Sequence, residues 1–158
     1  HDRSHVALTD AFAHRRIKKI YLAAVNGQPK ENGGRIENMI GRHPVDRKRM
    51  AVLFDGTGKN AITEWKKLST HQGTSLILCH LFTGRTHQIR VHMRDVLQCP
   101  ILGDSLYGHP SRQNGKTSRL VLHAWKLAFD HPLTGQPLAF VAPIPAEYQL
   151  WMEDLDLV

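Results

Sequence analysis

The chain has 158 residues, enough for one hydrophobic core and too few for us to expect two domains. Lys and Arg number 21 against 14 Asp and Glu, so the net charge is +7, and 41% of the residues are hydrophobic. This composition predicts a basic globular domain with no stretch long enough to span a membrane. Its charge fits a nucleic acid partner and fits equally well a soluble basic protein without one.

The first residues, His1-Asp2-Arg3-Ser4, contain neither a starting methionine nor an apolar leader. We therefore expect a part of a longer protein, without a signal peptide. Apolar residues at near-helical spacing predict a short helix over residues 4–14. The two cysteines, Cys79 and Cys99, are too few for a disulfide framework, which favours a cytoplasmic protein.

The middle of the chain predicts strands separated by turns, because β-branched and apolar runs end at Gly, Asn and Asp. The predicted strands cover residues 20–25, 50–54, 61–68 and 74–82. Gly33-Gly34 is predicted to be a turn, and the basic stretch 41–49 an exposed loop.

After Thr83-Gly84 the apolar spacing changes to that of a helix, which Pro100 ends. The remaining predicted elements are a loop at 103–118, strands at 120–129 and 138–141, and a helix at 145–155. Strands outnumber helices and follow one another directly. The sequence therefore predicts an α+β fold, with a mostly antiparallel mixed sheet and flanking helices in one domain over residues 1–158.

Hydrogen-bond donors are concentrated where the most apolar strand gives way to a helix, at Arg85, Thr86, His87 and Gln88. A helix start of this kind suits phosphate. Arg90 follows on the helix, where an arginine packed on a sheet can bind a carboxylate bidentately. The alternative is an ordinary solvated helix start.

A second group of basic residues lies in the predicted loop and comprises Arg42, His43, Arg47, Lys48 and Arg49. These residues either clamp an RNA backbone or are simply a solvated run of charges. Eleven histidines also raise the question of a metal. His87 and His92 are five residues apart rather than four, and neither CxxC nor HExxH occurs, so no metal site is predicted.

Thr83–His92 reads TGRTHQIRVH, and this segment resembles at every position a motif of RNA pseudouridine synthases of the large-ribosomal-RNA (RluA) type. Further segments agree in order with the family's (K/R)xYLA, GDxxYG and LHA…HP…AP motifs: Lys19–Ala23, Gly103–Gly108, Leu122–Ala124 with His131-Pro132, and Ala142-Pro143. The resemblance extends from about residue 5 to residue 150.

The resemblance implies a pseudouridine synthase catalytic fold that isomerises uridine to pseudouridine in RNA, most readily ribosomal RNA, as a cytoplasmic monomer without a cofactor. The family's essential aspartate belongs to an HRLDxxTSG motif, which the 158 residues do not contain. We expect that segment upstream of His1, because the neighbours of Asp2 do not match the motif. The chain alone is then expected to be inactive, and a non-catalytic RNA-binding module with the same fold is the alternative.

By the same resemblance Arg90 pairs with that aspartate, and Tyr21 stacks on the target uracil, so both are expected to flank one cleft. The residues from Arg85 to Gln88 are expected either to contact RNA or to fix their loop through local hydrogen bonds. Asp104 is interpreted as a loop anchor, with a nucleophile as the less favoured alternative. Without its aspartate, Arg90 is expected to stay hydrated, to pair with another acid, or to bind an anion.

Overall fold

The computed structural model describes residues 17–108, residues 119–153 and Leu155. The predicted helix at 4–14 and most of the predicted loop at 103–118 lie outside the described residues. The strands are β1 (Lys18–Asn26), β2 (Gly33–Arg42), β3 (Met50–Val52), β4 (Lys59–His71), β5 (Thr74–Leu81), β6 (Leu122–Asp130) and β7 (Pro137–Val141). Two short α-helices are α1 (Gln88–Val91), continued by a π-helical turn at His92–Val96, and α2 (Gln149–Met152), preceded by a 3-10 turn at Ala146–Tyr148.

The strands form one sheet in the order β3-β2-β4-β5-β1-β6-β7, and each neighbouring pair is antiparallel. The α+β class predicted from the sequence is confirmed, with a sheet that is antiparallel throughout the described strands. Strand β1 lies between β5 and β6, so that Tyr21 stands opposite Cys79 on one side and Ala124 on the other.

Both faces of the sheet are covered, which explains why β1 and β5 are apolar at successive positions rather than at alternate ones. One face packs beneath α1 and its π-helical turn, in a cluster that includes Ala23, Val25, Ile77, Cys79, Ile89 and Met93. The other face packs against the C-terminal helical segment, in a cluster that includes Ile20, Leu22, Leu76, Trp125, Tyr148 and Trp151. The core therefore consists of two layers with the central strands between them.

Strand β2 corrects two of the predictions. Gly33-Gly34 was predicted to be a turn, but both glycines begin a ten-residue strand, and Gly41 and Arg42 end it rather than opening a loop. The glycines are needed for close packing: a Cβ on Gly33 would lie 2.8 Å from the carbonyl oxygen of Trp65, and one on Gly34 3.2 Å from its indole Nε1. Glycine that admits a neighbouring chain looks the same in sequence as glycine in a turn.

The helix predicted after Gly84 is present but is not a regular α-helix. Only one α-helical turn forms before the backbone widens into the π-helical turn, and residues of such turns often lie at functional sites. No helix among the described residues is both long enough and apolar enough to cross a membrane.

Candidate active site and RNA-binding surface

The loop before α1 is fixed by the buried side chain of Gln88. Its amide nitrogen donates to the carbonyl of Ile62 (3.0 Å) and to Thr63 Oγ1 (2.9 Å) on β4. Its Oε1 accepts hydrogen bonds from Thr83 Oγ1 (2.7 Å) and from the backbone N–H of Arg85 (3.0 Å). Because these bonds occupy the amide within the protein, Gln88 positions the loop and its helix on the sheet.

Arg90 is held by Asp104 in a bidentate ion pair. Its Nη2 donates to Oδ1 at 2.7 Å and its Nε to Oδ2 at 3.0 Å. The carboxylate is completely buried and also accepts the backbone N–H groups of Leu106 and Tyr107, whereas 19% of the arginine side chain remains exposed. Of the three outcomes expected for Arg90, the structure shows pairing with another acid.

Electrostatics keep this pair ionised. Burial alone would raise the pKa of Asp104, but the hydrogen bond from Arg90, those from the backbone and the arginine charge outweigh it and lower that pKa overall. The same hydrogen bond raises the pKa of Arg90. Gly103 makes the geometry possible: it has a φ of +77°, and a Cβ there would collide with the carbonyl of Arg119. These contacts support the interpretation of Asp104 as an anchor.

Tyr21 projects from the face of β1 that α1 covers. Its half-buried side chain packs against the cluster that contains Ile89 and Met93. Ile89 directly precedes Arg90, and Met93 lies in the π-helical turn that follows it. Lys19, two positions earlier on β1, lies close to Gly84, and its pKa is lowered by burial and by the nearby charge of Arg85. The sequence pattern contained Lys19 only as part of a motif and gave it no role.

The four donors that begin the helix are used differently. Arg85 donates from Nε to the carbonyl of Asn60 at 2.8 Å. His87 has a left-handed backbone conformation with a φ of 56°, and its Nδ1 is 2.7 Å from the hydroxyl of Tyr107. Thr86 is exposed. Since α1 has only one turn, the predicted phosphate site at a helix start rests on these side chains rather than on a long helix.

The basic loop between β2 and β3 is ordered by its own hydrogen bonds. His43 Nδ1 accepts the backbone N–H groups of Val45 (3.1 Å) and Asp46 (2.9 Å). Arg42 donates to the carbonyl of Arg47 at 2.7 Å, and Arg47 donates to that of His43 at 3.2 Å. Three cations of this loop are exposed, at Arg42, Arg47 and Lys48, while His43 and Arg49 are half-buried.

A buried polar chain, which sequence reasoning missed, continues from Gln88 under the site. His92 is fully buried; its Nδ1 is 2.8 Å from Thr63 Oγ1 and its Nε2 2.9 Å from Asn38 Oδ1. Burial lowers the pKa of His92 from 6.5 to about 4, against the opposing effect of the Asp95 charge. The ring is therefore neutral at pH 7. Because Asn38 Oδ1 can only accept, Nε2 carries the proton and donates to it, and Nδ1 accepts from Thr63.

Among residues 17–108, 119–153 and 155, no group of three or more His, Cys, Asp or Glu side chains could hold a metal ion. Cys79 and Cys99 are both free and buried. The predicted site residues fall into two groups. Tyr21 and the loop from Arg85 to Arg90 lie on one face of the sheet, and the basic loop reaches them through Tyr107.

Comparison with known proteins gives the same class as the fold. The human protein RNA Pseudouridylate Synthase Domain Containing 1 superimposes with a TM-score of 0.79 and 28% identity, over 92% of this chain and 62% of that one. The fold of this chain is thus similar to that of a human protein named for a pseudouridylate synthase domain. The family model described as RNA pseudouridylate synthase matches residues 1–95, and the chain belongs to this family.

Two bacterial relatives cover nearly all of the chain. An uncharacterized RNA pseudouridine synthase of Chloroflexus aurantiacus is 46% identical over 98% of the chain, and a ribosomal large subunit pseudouridine synthase D of Zymomonas mobilis is 38% identical over 94%. The chain spans about half the length of these relatives, 48% in both cases.

Proposed function

We propose that the protein carrying this chain isomerises uridine to pseudouridine in structured RNA, with ribosomal RNA as its substrate. The observation that supports this most is Arg90: a rigidly held guanidinium, 19% exposed, on the helix that covers the sheet face of Tyr21. Membership of the pseudouridylate synthase family and the named function of the Zymomonas mobilis relative agree with it.

In the proposed reaction the bond between N1 of uracil and C1′ of ribose breaks, the base turns, and a bond forms between C5 and C1′. C5 loses its proton and N1 gains one, so no oxidant or cofactor is needed. Two of the three guanidinium nitrogens of Arg90 bind Asp104, which leaves capacity for a second carboxylate. We assign that second carboxylate to the aspartate of the family's HRLDxxTSG motif, which Arg90 keeps ionised and oriented.

Tyr21 is proposed to stack on the target uracil. A base must leave its stack before the enzyme can reach it, and an aromatic surface offsets part of this cost. The half-buried position of Tyr21 on the covered face of β1 is consistent with a ring that has one side available. Tyr21 and Arg90 are thereby proposed to flank one cleft.

The basic loop and the start of α1 are proposed to bind the RNA backbone. The exposed cations Arg42, Arg47 and Lys48 supply charge, while His43 orders the loop. Arg85, Thr86 and His87 lie nearer the catalytic group, and Gln88 holds them in place from beneath. We further propose that the protein is a cytoplasmic monomer.

The test is an assay of tritium release from a ribosomal RNA fragment labelled at C5 of uridine, with the full-length protein. We expect release and an equal amount of pseudouridine in nuclease digests of the RNA. Binding of the RNA without release of tritium would instead identify a non-catalytic RNA-binding module. Loss of activity when a chelator removes metal ions would contradict the mechanism.

A further inference from the structure

The Tyr107 side chain contacts Arg49 at the end of the basic loop, Met50 at the start of β3, and both His87 and Arg90 at the catalytic helix. Its hydroxyl is 2.8 Å from the backbone nitrogen of Met50, the residue that begins β3 directly after the basic loop. The same hydroxyl is 2.7 Å from Nδ1 of His87. Tyr107 is 2% exposed, so these bonds are shielded from water.

The direction of one of these hydrogen bonds is fixed by chemistry: the N–H of Met50 can only donate, so the phenol oxygen accepts it. The phenol donates to Nδ1 of His87 in the tautomer whose proton is on Nε2. Burial raises the pKa of Tyr107, and burial together with the charge of Arg90 lowers the pKa of His87. Both shifts favour a neutral phenol and a neutral imidazole, the states in which the phenol can donate to Nδ1.

The aromatic ring of Tyr107 has a second role. The guanidinium carbon of Arg90 lies 5.0 Å from the ring centroid and that of Arg49 lies 5.3 Å from it. Arg90 is also fixed by Asp104, whereas Nε of Arg49 is enclosed and has no hydrogen-bond partner among the described residues. The ring is therefore a principal contact of the Arg49 head group, and it brings two cations to one phenol.

We infer that Tyr107 is a positioning residue that couples the RNA-binding loop to the catalytic arginine, through hydrogen bonds to Met50 and His87 and through its ring to Arg49 and Arg90. This inference rests on the proposed function. It adds the contacts by which the protein keeps the bound RNA backbone at a fixed distance from the reacting base. The basic loop and Arg90 are brought together in space and not by sequence proximity, since Arg49 and Arg90 are 41 positions apart.

The test uses Tyr107→Phe in the full-length protein, which removes the hydroxyl and keeps the ring. We expect KM for the RNA to rise on the order of tenfold, since two shielded hydrogen bonds that hold the loop are lost, while kcat stays within about twofold. Tyr107→Leu, which also removes the ring beside Arg90, should in addition lower kcat to roughly a tenth of the Tyr107→Phe value. Tyr148→Phe is the matched control, since Tyr148 is equally buried but lies in the cluster on the other face of the sheet.

A double-mutant cycle that combines Tyr107→Leu with Arg49→Gln separates coupling from general damage, because Tyr107→Phe would keep the ring that Arg49 contacts. If Tyr107 acts through the loop, the combined variant has a KM no higher than the more impaired single variant. A purely structural role would lower kcat through a smaller folded fraction at unchanged KM, and that result, or additive effects in the cycle, overturns the inference. If the wild-type protein forms no pseudouridine, the proposed function fails, and the same cycle measured on the RNA dissociation constant still decides the inference.

Discussion

Arg90 illustrates how a residue can be recognised in the sequence while its environment cannot. The motif marks it as an arginine placed to bind a carboxylate, but the carboxylate that it binds in the structure, Asp104, lies 14 positions further along the chain. The pairing depends on Gly103, whose left-handed backbone turns Asp104 towards the helix. A buried carboxylate with three sets of donors is an anchor, because any reaction at its oxygen atoms would first have to break these bonds.

Replacing Arg90 with lysine in the full-length protein should reduce turnover strongly while leaving RNA affinity nearly unchanged. Lysine keeps the charge but not the planar fork, so that neither Asp104 nor a second carboxylate is held in two-point contact. Losing such a pair in a largely buried site costs about 3 kcal/mol, or roughly a hundredfold in rate. Tritium release gives the rate and filter binding the affinity.

Arg94→Lys is the matched control, since Arg94 lies one turn later on the same segment, is 43% exposed and pairs with the adjacent Asp95. It should behave as the wild type. An Arg90→Lys protein with a rate within about twofold of the wild type would show that bidentate geometry is unimportant to the reaction.

His92 gives the protein a stability that depends on pH. The folded state holds the ring neutral with a pKa of about 4, whereas the ordinary value is 6.5, so the unfolded chain binds more protons between these values. The free energy of unfolding should therefore be highest above pH 6.5 and fall by about 3 kcal/mol as the pH is lowered to 4. Chemical denaturation across this range measures the change.

In a His92→Gln variant this part of the pH dependence should be absent. The free energy of unfolding of the wild type should therefore fall relative to that of the variant as the pH is lowered. His71→Gln, at the end of β4 and away from the buried chain, should keep the wild-type pH dependence because His92 is intact. Equal slopes for the wild type and His92→Gln would contradict a neutral, buried imidazole.

At the scale of elements, the basic loop is the part whose role depends most on its surroundings. Its hydrogen bonds are internal, so it is a preformed surface rather than a flexible tail, and Tyr107 holds its end against α1. A preformed cationic loop binds phosphates with a small entropic cost. The length of β2 supports it, since Arg42 is both the last residue of that strand and the first cation of the loop.

RNA binding should weaken steeply with salt, because each bound phosphate releases counterions. Replacing Arg42, Arg47 and Lys48 together with glutamine should reduce the slope of log affinity against log salt by about 2. Titrations between low and physiological salt measure this slope. The control replaces three exposed lysines outside the loop with glutamine, at Lys30, Lys66 and Lys126, which changes the net charge equally. Equal slopes for the two triple variants would rule out the loop as a phosphate clamp.

At the scale of the whole molecule, the described fold positions an arginine, an aromatic residue and a cationic surface, but the 158 residues contain no HRLDxxTSG segment. The chain alone is therefore expected to form no pseudouridine on any RNA. The tritium assay on the isolated chain and on the full-length protein compares the two directly. Turnover by the isolated chain would require an acid within it to act as nucleophile, and Asp104→Asn would be the first variant to examine, although the burial of Asp104 argues against that role.

Local sequence was sufficient for the strands whose apolar runs end at turn residues, and for the change from strand to helix after Gly84. It failed at β2, where glycines that admit Trp65 resemble turn glycines, and at α1, where one turn of α-helix widens into a π-helical turn. In both cases the deciding contact comes from β4 or from the sheet, which is distant in sequence. Periodicity reports which side of an element is buried, but not what it is buried against.

The sequence by itself determined the class of fold, the motif that carries Arg90, the aromatic candidate Tyr21 and the basic loop, because each depends on residues that are neighbours along the chain. Only the tertiary structure decided that Arg90 binds Asp104, that Gln88 faces inwards, that His92 is neutral, and that Tyr107 contacts both Met50 and His87. These are contacts between side chains from different elements, and their energies depend on burial and distance. Neither quantity exists until the sheet has formed and its two faces have been covered.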